Sequence, residues 1–195
     1  VMFLKKTVIF FGVYDVCRKY PVYHTPLFIV NLQFVFPVYE MQVVSGAMGK
    51  EKIHYQAPSP ERVPAEMERF IEWVNNSEEI DAVLKAAIAH LWFVSIHPFD
   101  DGNGRITRAL TDMLLARSEN SSKRFYSVSA EIKNLQKEYY EVLERTQRGN
   151  GDITDWLLWF LHCFEQALNA SESTLSSVMH KAEFWERNRD VSFNE

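Results

Sequence analysis

Residues 97–108, HPFDDGNGRITR, open on a histidine, close on two arginines three positions apart, and hold two aspartates, an asparagine and two glycines between them. Proline disfavours right-handed helical backbone at the residue before it, so Pro98 ends any helix arriving from upstream. Such a helix is expected over Ile80–Ile96, where Ile80, Val83, Leu84, Ala87, Ile88, Leu91, Val94 and Ser95 share one face wide enough for a central core position. Downstream, Arg105 to about Ser118 repeats the pattern with Ile106, Leu110, Met113 and Leu114. The stretch is therefore a loop between two packed helices, and the chain reads as all-α.

That placement gives the loop its chemistry. Gly102 and Gly104 open conformations closed to other residues and let a ligand approach the main chain with no Cβ in the way. The N–H groups at the start of the next helix have no intrahelical acceptor and, with the positive dipole end behind them, favour an anion. Arg105 and Arg108 share one helix face and lean back toward the loop. A cation in a first turn opposes the helix dipole by up to about 1 kcal/mol, which a multiply charged anion more than offsets. Two guanidiniums and a run of amides thus point to a ligand with more than one phosphate. Asp101 has two readings: an N-cap, or a carboxylate holding magnesium between itself and the phosphates. His97, at the loop mouth, suits a general base near neutral pH, and Phe99 anchors the loop to the core.

Around this centre the chain is organised simply. Its 195 residues suit one domain, and a formal charge of −5 offers no broad basic surface for nucleic acid. Cys17 and Cys163 stand alone, which gives neither a disulfide framework nor a thiolate metal site and suits a reducing cytoplasm. Residues 1–40 are aromatic and β-branched without a helical period, and their polar residues exclude a membrane span there. Between Gln42 and Tyr55, QVVSG and KIHYQ flank a glycine-containing turn, the mark of a projecting hairpin flap. GAMGK, residues 46–50, is no phosphate loop, since its glycines stand three apart and Glu51 follows where a Ser or Thr is needed.

Further helices are expected at Pro64–Asn75, at about 130–147 with Ile132, Leu135, Tyr139, Val142 and Leu143 inside, from an Asp152 N-cap through WLLWFLHCF, and separately over about 172–188. His90 and His97 lie about 10 Å apart along one helix, too far to share an ion, so His90 reads as a core-flank residue. His162 reads as structural, and His54 as a residue within reach of a peptide at the flap.

HPFDDGNGR followed by Arg108 resembles the Fic motif, His-x-Phe-x-(Asp or Glu)-Gly-Asn-Gly-Arg-x-x-Arg, at every fixed position. From about Met41 onward the flap, APSPERVPAEMERFIEWVN and AHLWFVSIHPF are similar to Fic proteins in order and spacing. The resemblance implies a Fic fold, a helical bundle with a hairpin flap, with residues 41–170 as the catalytic domain between an atypical segment 1–40 and a C-terminal helix 171–195. It implies transfer of AMP from ATP to a Ser, Thr or Tyr hydroxyl of a target protein. His97 would then be the base, and Asp101 would hold Mg2+. Gly102, Asn103 and Gly104 would form the anion hole, with Arg105 and Arg108 on the β and γ phosphates. Tyr139, Tyr140 and Gln147 fall where relatives face the nucleobase, although Tyr139 is as well explained by core packing. The target would pair with the flap at Val43–Ser45 and Ile53–Tyr55 by strand addition. Gly104 stands where relatives that phosphorylate carry a Lys, which favours AMP transfer.

The segment 1–40 lacks the Gly-x-Tyr-Arg-like element of relatives, and no Ser or Thr precedes a Glu-Gly or Glu-Asn step by four residues: Glu119-Asn120 has Leu115 there. Either an inhibitory helix of that kind lies in further sequence or a separate chain, or the domain is unregulated by that route, and WERNRDVSFNE reads as the approach to another domain of a longer protein. Removal of AMP at the same site and a catalytically idle nucleotide-binding module remain as alternatives. A homo-oligomer is compatible with the sequence, and neither nucleic acid nor membrane is expected as a partner.

Overall fold

The computed structural model describes residues 36–47, 50–77, 79–119 and 124–189. The expectations for residues 1–35 lie outside it. Strands β1 (Gln42–Ser45) and β2 (Lys52–Gln56) form the expected antiparallel hairpin, pairing Val43 with Tyr55 and Val44 with Ile53 across a register shift. Gly46 turns the chain at φ 114°, where an added Cβ would sit 2.7 Å from the Lys50 carbonyl oxygen. Helix α1 (Val63–Asn76) starts on Pro64, suited to a first turn because no N–H is needed there, and buries Val63, Met67, Phe70 and Val74.

Helix α2 (Ala82–Ile96) is capped by Asp81, whose Oδ1 accepts from the N–H groups of Val83 and Leu84. It is the centre of the molecule. The expected one-sided stripe gives way to burial all around it: Ala86, Ala87, Ala89, His90, Leu91, Phe93, Val94 and Ile96 are buried, while Val83, Leu84 and Ile88 are half-buried. α1 covers one flank, and α3 (Asn103–Ser118) packs on another more extensively than any other helix. α3 begins two residues earlier than its apolar pattern indicates, because Gly102 provides its cap.

The helix expected over 130–147 is two: α4 (Val128–Asn134), capped by Ser127, and α5 (Gln136–Gln147). Leu135 turns out of helical geometry at φ −93° and ψ 27°, yet backbone bonds cross the joint from Leu135 to Glu131 and from Tyr139 to Leu135. The apolar positions keep their phase through the break, so periodicity cannot register it. The opposite correction applies at the C-terminal end, where the two expected helices form one, α6 (Thr154–Arg187). No Gly or Pro interrupts residues 154–187, so the backbone hydrogen-bond ladder has no reason to stop. Ile153, not the expected Asp152, holds the cap position, and Asp152 supports the start from one residue earlier, its Oδ1 accepting from Thr154 N at 2.8 Å. Trp156, Phe160, Cys163 and Ala167 bury the first half of α6, and Trp156 Nε1 donates to the Ala87 carbonyl of α2 at 2.9 Å. Beyond Ala167 the helix is largely exposed. No helix among the described residues is long and apolar enough to cross a membrane.

Candidate active site

His97 follows α2 in the left-handed region, at φ 50° and ψ 54°, the one described non-glycine residue with positive φ. Its N–H still closes the helix onto the Phe93 carbonyl at 3.1 Å, so the imidazole leaves the helix end at a fixed angle. Pro98 and Phe99 are buried behind it, with the Phe99 ring 6.3 Å from that of Phe93. Asn103 holds the loop shut: its Oδ1 accepts from Phe99 N at 3.0 Å and its Nδ2 donates to the Phe99 carbonyl at 2.5 Å. With the side chain committed in this way and 3% exposed, only the main chain of Asn103 is left to meet an anion.

Gly102 caps α3 at φ 89°, a conformation that L side chains rarely adopt. Asn103 and Gly104 then occupy the first helical positions, whose N–H groups have no acceptor within the helix. The two arginines behave differently. Arg105 Nη2 donates to Asp101 Oδ2 at 3.1 Å, with the two side chains 54% and 61% exposed. The other carboxylate oxygen of Asp101 accepts from Gly102 N at 2.7 Å. Arg108 turns the other way. A Cβ on Gly104 would lie 3.5 Å from its Nη1, and it lines a cavity.

That cavity has a volume of about 420 Å³. Its floor is His97, Gly104 and Arg108 with Val94. One wall is Tyr139, Tyr140, Leu143, Glu144 and Gln147 on α5, and the hairpin supplies the other with Val43, Val44, Ser45, His54 and Tyr55. Of the expected site residues the structure thus gathers His97, Gly104, Arg108, Tyr139, Tyr140 and Gln147, along with the flap positions Val43–Ser45, His54 and Tyr55. Asp101, Gly102 and Arg105 sit together outside this lining, on the solvent side of the loop. Gln147 is held by its Nε2 donating to Ser95 Oγ at 2.9 Å, and the Tyr55 hydroxyl donates to the Ser95 carbonyl at 2.8 Å. Burial pushes the His97 imidazole below its ordinary value, an effect partly opposed by its contact with the Val94 carbonyl. Neutral pH therefore finds it unprotonated and able to accept a proton.

Beneath the cavity runs a buried polar ladder that sequence reasoning missed. The Thr107 hydroxyl donates to the Asn103 carbonyl at 2.7 Å, and that of Thr111 to the Thr107 carbonyl at 2.9 Å. With its proton so used, Thr111 Oγ1 accepts from His90 Nδ1 at 2.9 Å, which leaves His90 Nε2 to accept from the Tyr139 hydroxyl at 3.0 Å. His90 is fully buried, not flanking the core, and desolvation with the nearby Arg108 charge lowers its pKa to about 3. Tyr139 is a core residue, as its place on the apolar stripe predicts, and it also lines the cavity. His162 is exposed on α6, 3.8 Å from Glu165, and is not a core histidine.

A second missed set joins hairpin to helix. His54 Nδ1 and Glu144 Oε2 are 2.6 Å apart, His54 Nε2 and Ser45 Oγ are 2.6 Å apart, and Arg148 donates to the Ile53 and His54 carbonyls at 2.7 and 3.0 Å. His54 and Glu144 are 90 positions apart, and nothing local in either segment announces the pair.

The profile of the Fic/DOC family matches residues 29–115. Among curated proteins, "Protein adenylyltransferase Fic" of Drosophila willistoni is 34% identical over 114 residues, covering 57% of this chain and 21% of the relative. The protein of the same name from Nematostella vectensis is 30% identical over 139 residues, covering 69% and 30%. The chain therefore spans less than a third of the length of these curated relatives. Among solved structures, a Fic family protein from Desulfovibrio desulfuricans G20 superposes with a TM-score of 0.64 at 22% identity, covering 84% of this chain and 51% of that one. This second likeness speaks to the fold.

Proposed function

The chain belongs to the Fic/DOC family, and from that premise we propose that it transfers AMP from ATP to a Ser, Thr or Tyr hydroxyl of a target protein, releasing pyrophosphate. One observation carries the proposal: a proton-accepting imidazole, His97, and a guanidinium, Arg108, face a single cavity beside a position, Gly104, where no side chain blocks the helix start.

In this reading His97 takes the proton of the incoming hydroxyl. The first-turn N–H groups of α3 and Arg108 meet the phosphates, with Arg105 on the solvent side of the same helix start. Tyr140 and Gln147 hold the base-proximal side of the cavity. Magnesium fits the donor set in a limited way. Asp101 is an exposed carboxylate at the loop, and Mg2+ commonly takes one or two carboxylates and completes its shell with phosphate oxygens and water. Asp101 would hold it, with Arg105 as the counter-charge that now occupies the carboxylate. When bound, the ion supplies neutralisation of phosphate charge. The target would lie along the hairpin, where Val44 and Ile53 are exposed, by adding a strand. A cytoplasmic setting, where ATP is available, belongs to the same proposal.

The test is incubation with Mg2+ and ATP labelled at the α phosphate, in the presence of cell-extract proteins. Label should pass to the extract proteins with the wild type and fall there by about 10²-fold or more with His97→Ala, the usual scale of general-base catalysis. ATP binding without labelled product, or undiminished labelling by His97→Ala, would overturn it.

A further inference from the structure

Ser45, His54 and Glu144 form a relay at the rim of the same cavity. A carboxylate can only accept, so the 2.6 Å contact between Glu144 Oε2 and His54 Nδ1 puts a proton on Nδ1. In the neutral ring Nε2 is then an acceptor, and the 2.6 Å contact to Ser45 Oγ is a hydroxyl donating to it. This is the arrangement of an activated nucleophile: hydroxyl on base, base oriented by a carboxylate.

The surroundings hold it in place. Glu144 Oε1 is occupied by Arg148 Nη1 at 3.0 Å and faces Lys52 Nζ at 3.7 Å, leaving Oε2 to the imidazole. Arg148 also grips β2 through two carbonyls. Ser45 is exposed, and it lines the cavity together with His97 and Arg108, so its oxygen is open to whatever the cavity holds. A latch between hairpin and α5 would need only the Glu144 and Arg148 contacts. It does not account for a hydroxyl held on the proton-accepting nitrogen and turned toward the cavity.

We propose that Ser45 is itself an acceptor, a hydroxyl that His54 and Glu144 activate to take AMP from ATP bound in the cavity of its own chain. The inference rests on the nucleotide transfer proposed above. Ser45 Oγ attacks the α phosphorus, and the Oγ–P bond forms as the bond from that phosphorus to the bridging oxygen breaks. Pyrophosphate leaves with the electron pair. The hydroxyl proton passes to His54 Nε2, and Glu144 stabilises the resulting imidazolium.

The whole chain incubated with Mg2+ and α-labelled ATP, alone and with extract proteins, tests this by tandem mass spectrometry of the peptide containing Ser45. AMP should be found on Ser45, at a rate independent of protein concentration. His54→Gln, which keeps a hydrogen-bonding side chain but takes up no proton, should slow labelling of Ser45 at least tenfold relative to labelling of any other hydroxyl. AMP on other hydroxyls with Ser45 unmodified overturns this inference and leaves the proposed function standing, whereas AMP nowhere overturns both. Wild-type labelling of Ser45 by His54→Gln refutes the relay, and a rate proportional to protein concentration refutes transfer within one chain.

Discussion

Asn103 shows how one residue can be split between structure and chemistry. Its side chain ties both main-chain groups of Phe99, while its backbone opens α3 toward the cavity. Asn103→Ala removes both of these bonds to the buried Phe99 main chain, and should lower stability by about 1–3 kcal/mol, read as a shift of the urea midpoint. At Gly102 the obstacle is conformational, because a Cβ at φ 89° would touch only Arg105 at an ordinary 3.5 Å. Gly102→Ala should therefore cost about 1–2 kcal/mol without disturbing neighbours. Burial of His97 fixes the pH profile of the proposed transfer: its base form dominates above a pKa lying below the usual ~6.5, so kcat/KM should climb with pH from the acid side and level off before neutrality. A limb still rising above pH 7 would contradict that assignment. Spacing alone made His97 and Arg108 legible. It could not separate Arg105 from Arg108, since both share a helix face and only the neighbouring Asp101 draws one of them outward.

At the scale of elements, the hairpin was legible from two β-prone runs about a glycine turn, but its attachment was not. Arg148 reaches it from the C-cap of α5 across 94 and 95 positions of sequence, beyond any local pattern. Arg148→Ala should free β2 while leaving the helices intact, visible as at least tenfold faster amide exchange at residues 52–56 with unchanged exchange in α2. Helix boundaries failed for two opposite reasons. Leu135 breaks a helix that keeps its apolar phase, and α6 continues where burial ends, because a ladder of backbone bonds persists wherever no residue interrupts it. The central helix was found by its apolar content, yet its stripe was misjudged, since a helix covered on several sides has no one face for periodicity to report.

Across the whole molecule, the buried ladder from Tyr139 through His90 to Asn103 couples the cavity wall to the start of α3 and makes the fold acid-sensitive. His90 in the native state resists protonation down to about pH 3, whereas the unfolded chain takes up a proton near ~6.5. Between those values the unfolded state binds more protons, so stability falls as pH falls, by up to about 1.4 kcal/mol per unit. The gap in urea midpoint between wild type and His90→Gln should accordingly narrow from pH 7 to pH 5; a constant gap would exclude the mechanism. The left-handed backbone of His97 sets a different kind of audit on the molecule as a whole. Asparagine tolerates that geometry better than histidine does, so His97→Asn should melt no lower than the parent while losing transfer. A melting curve, with no substrate present, would then tell whether that position was shaped by reactivity at the expense of durability.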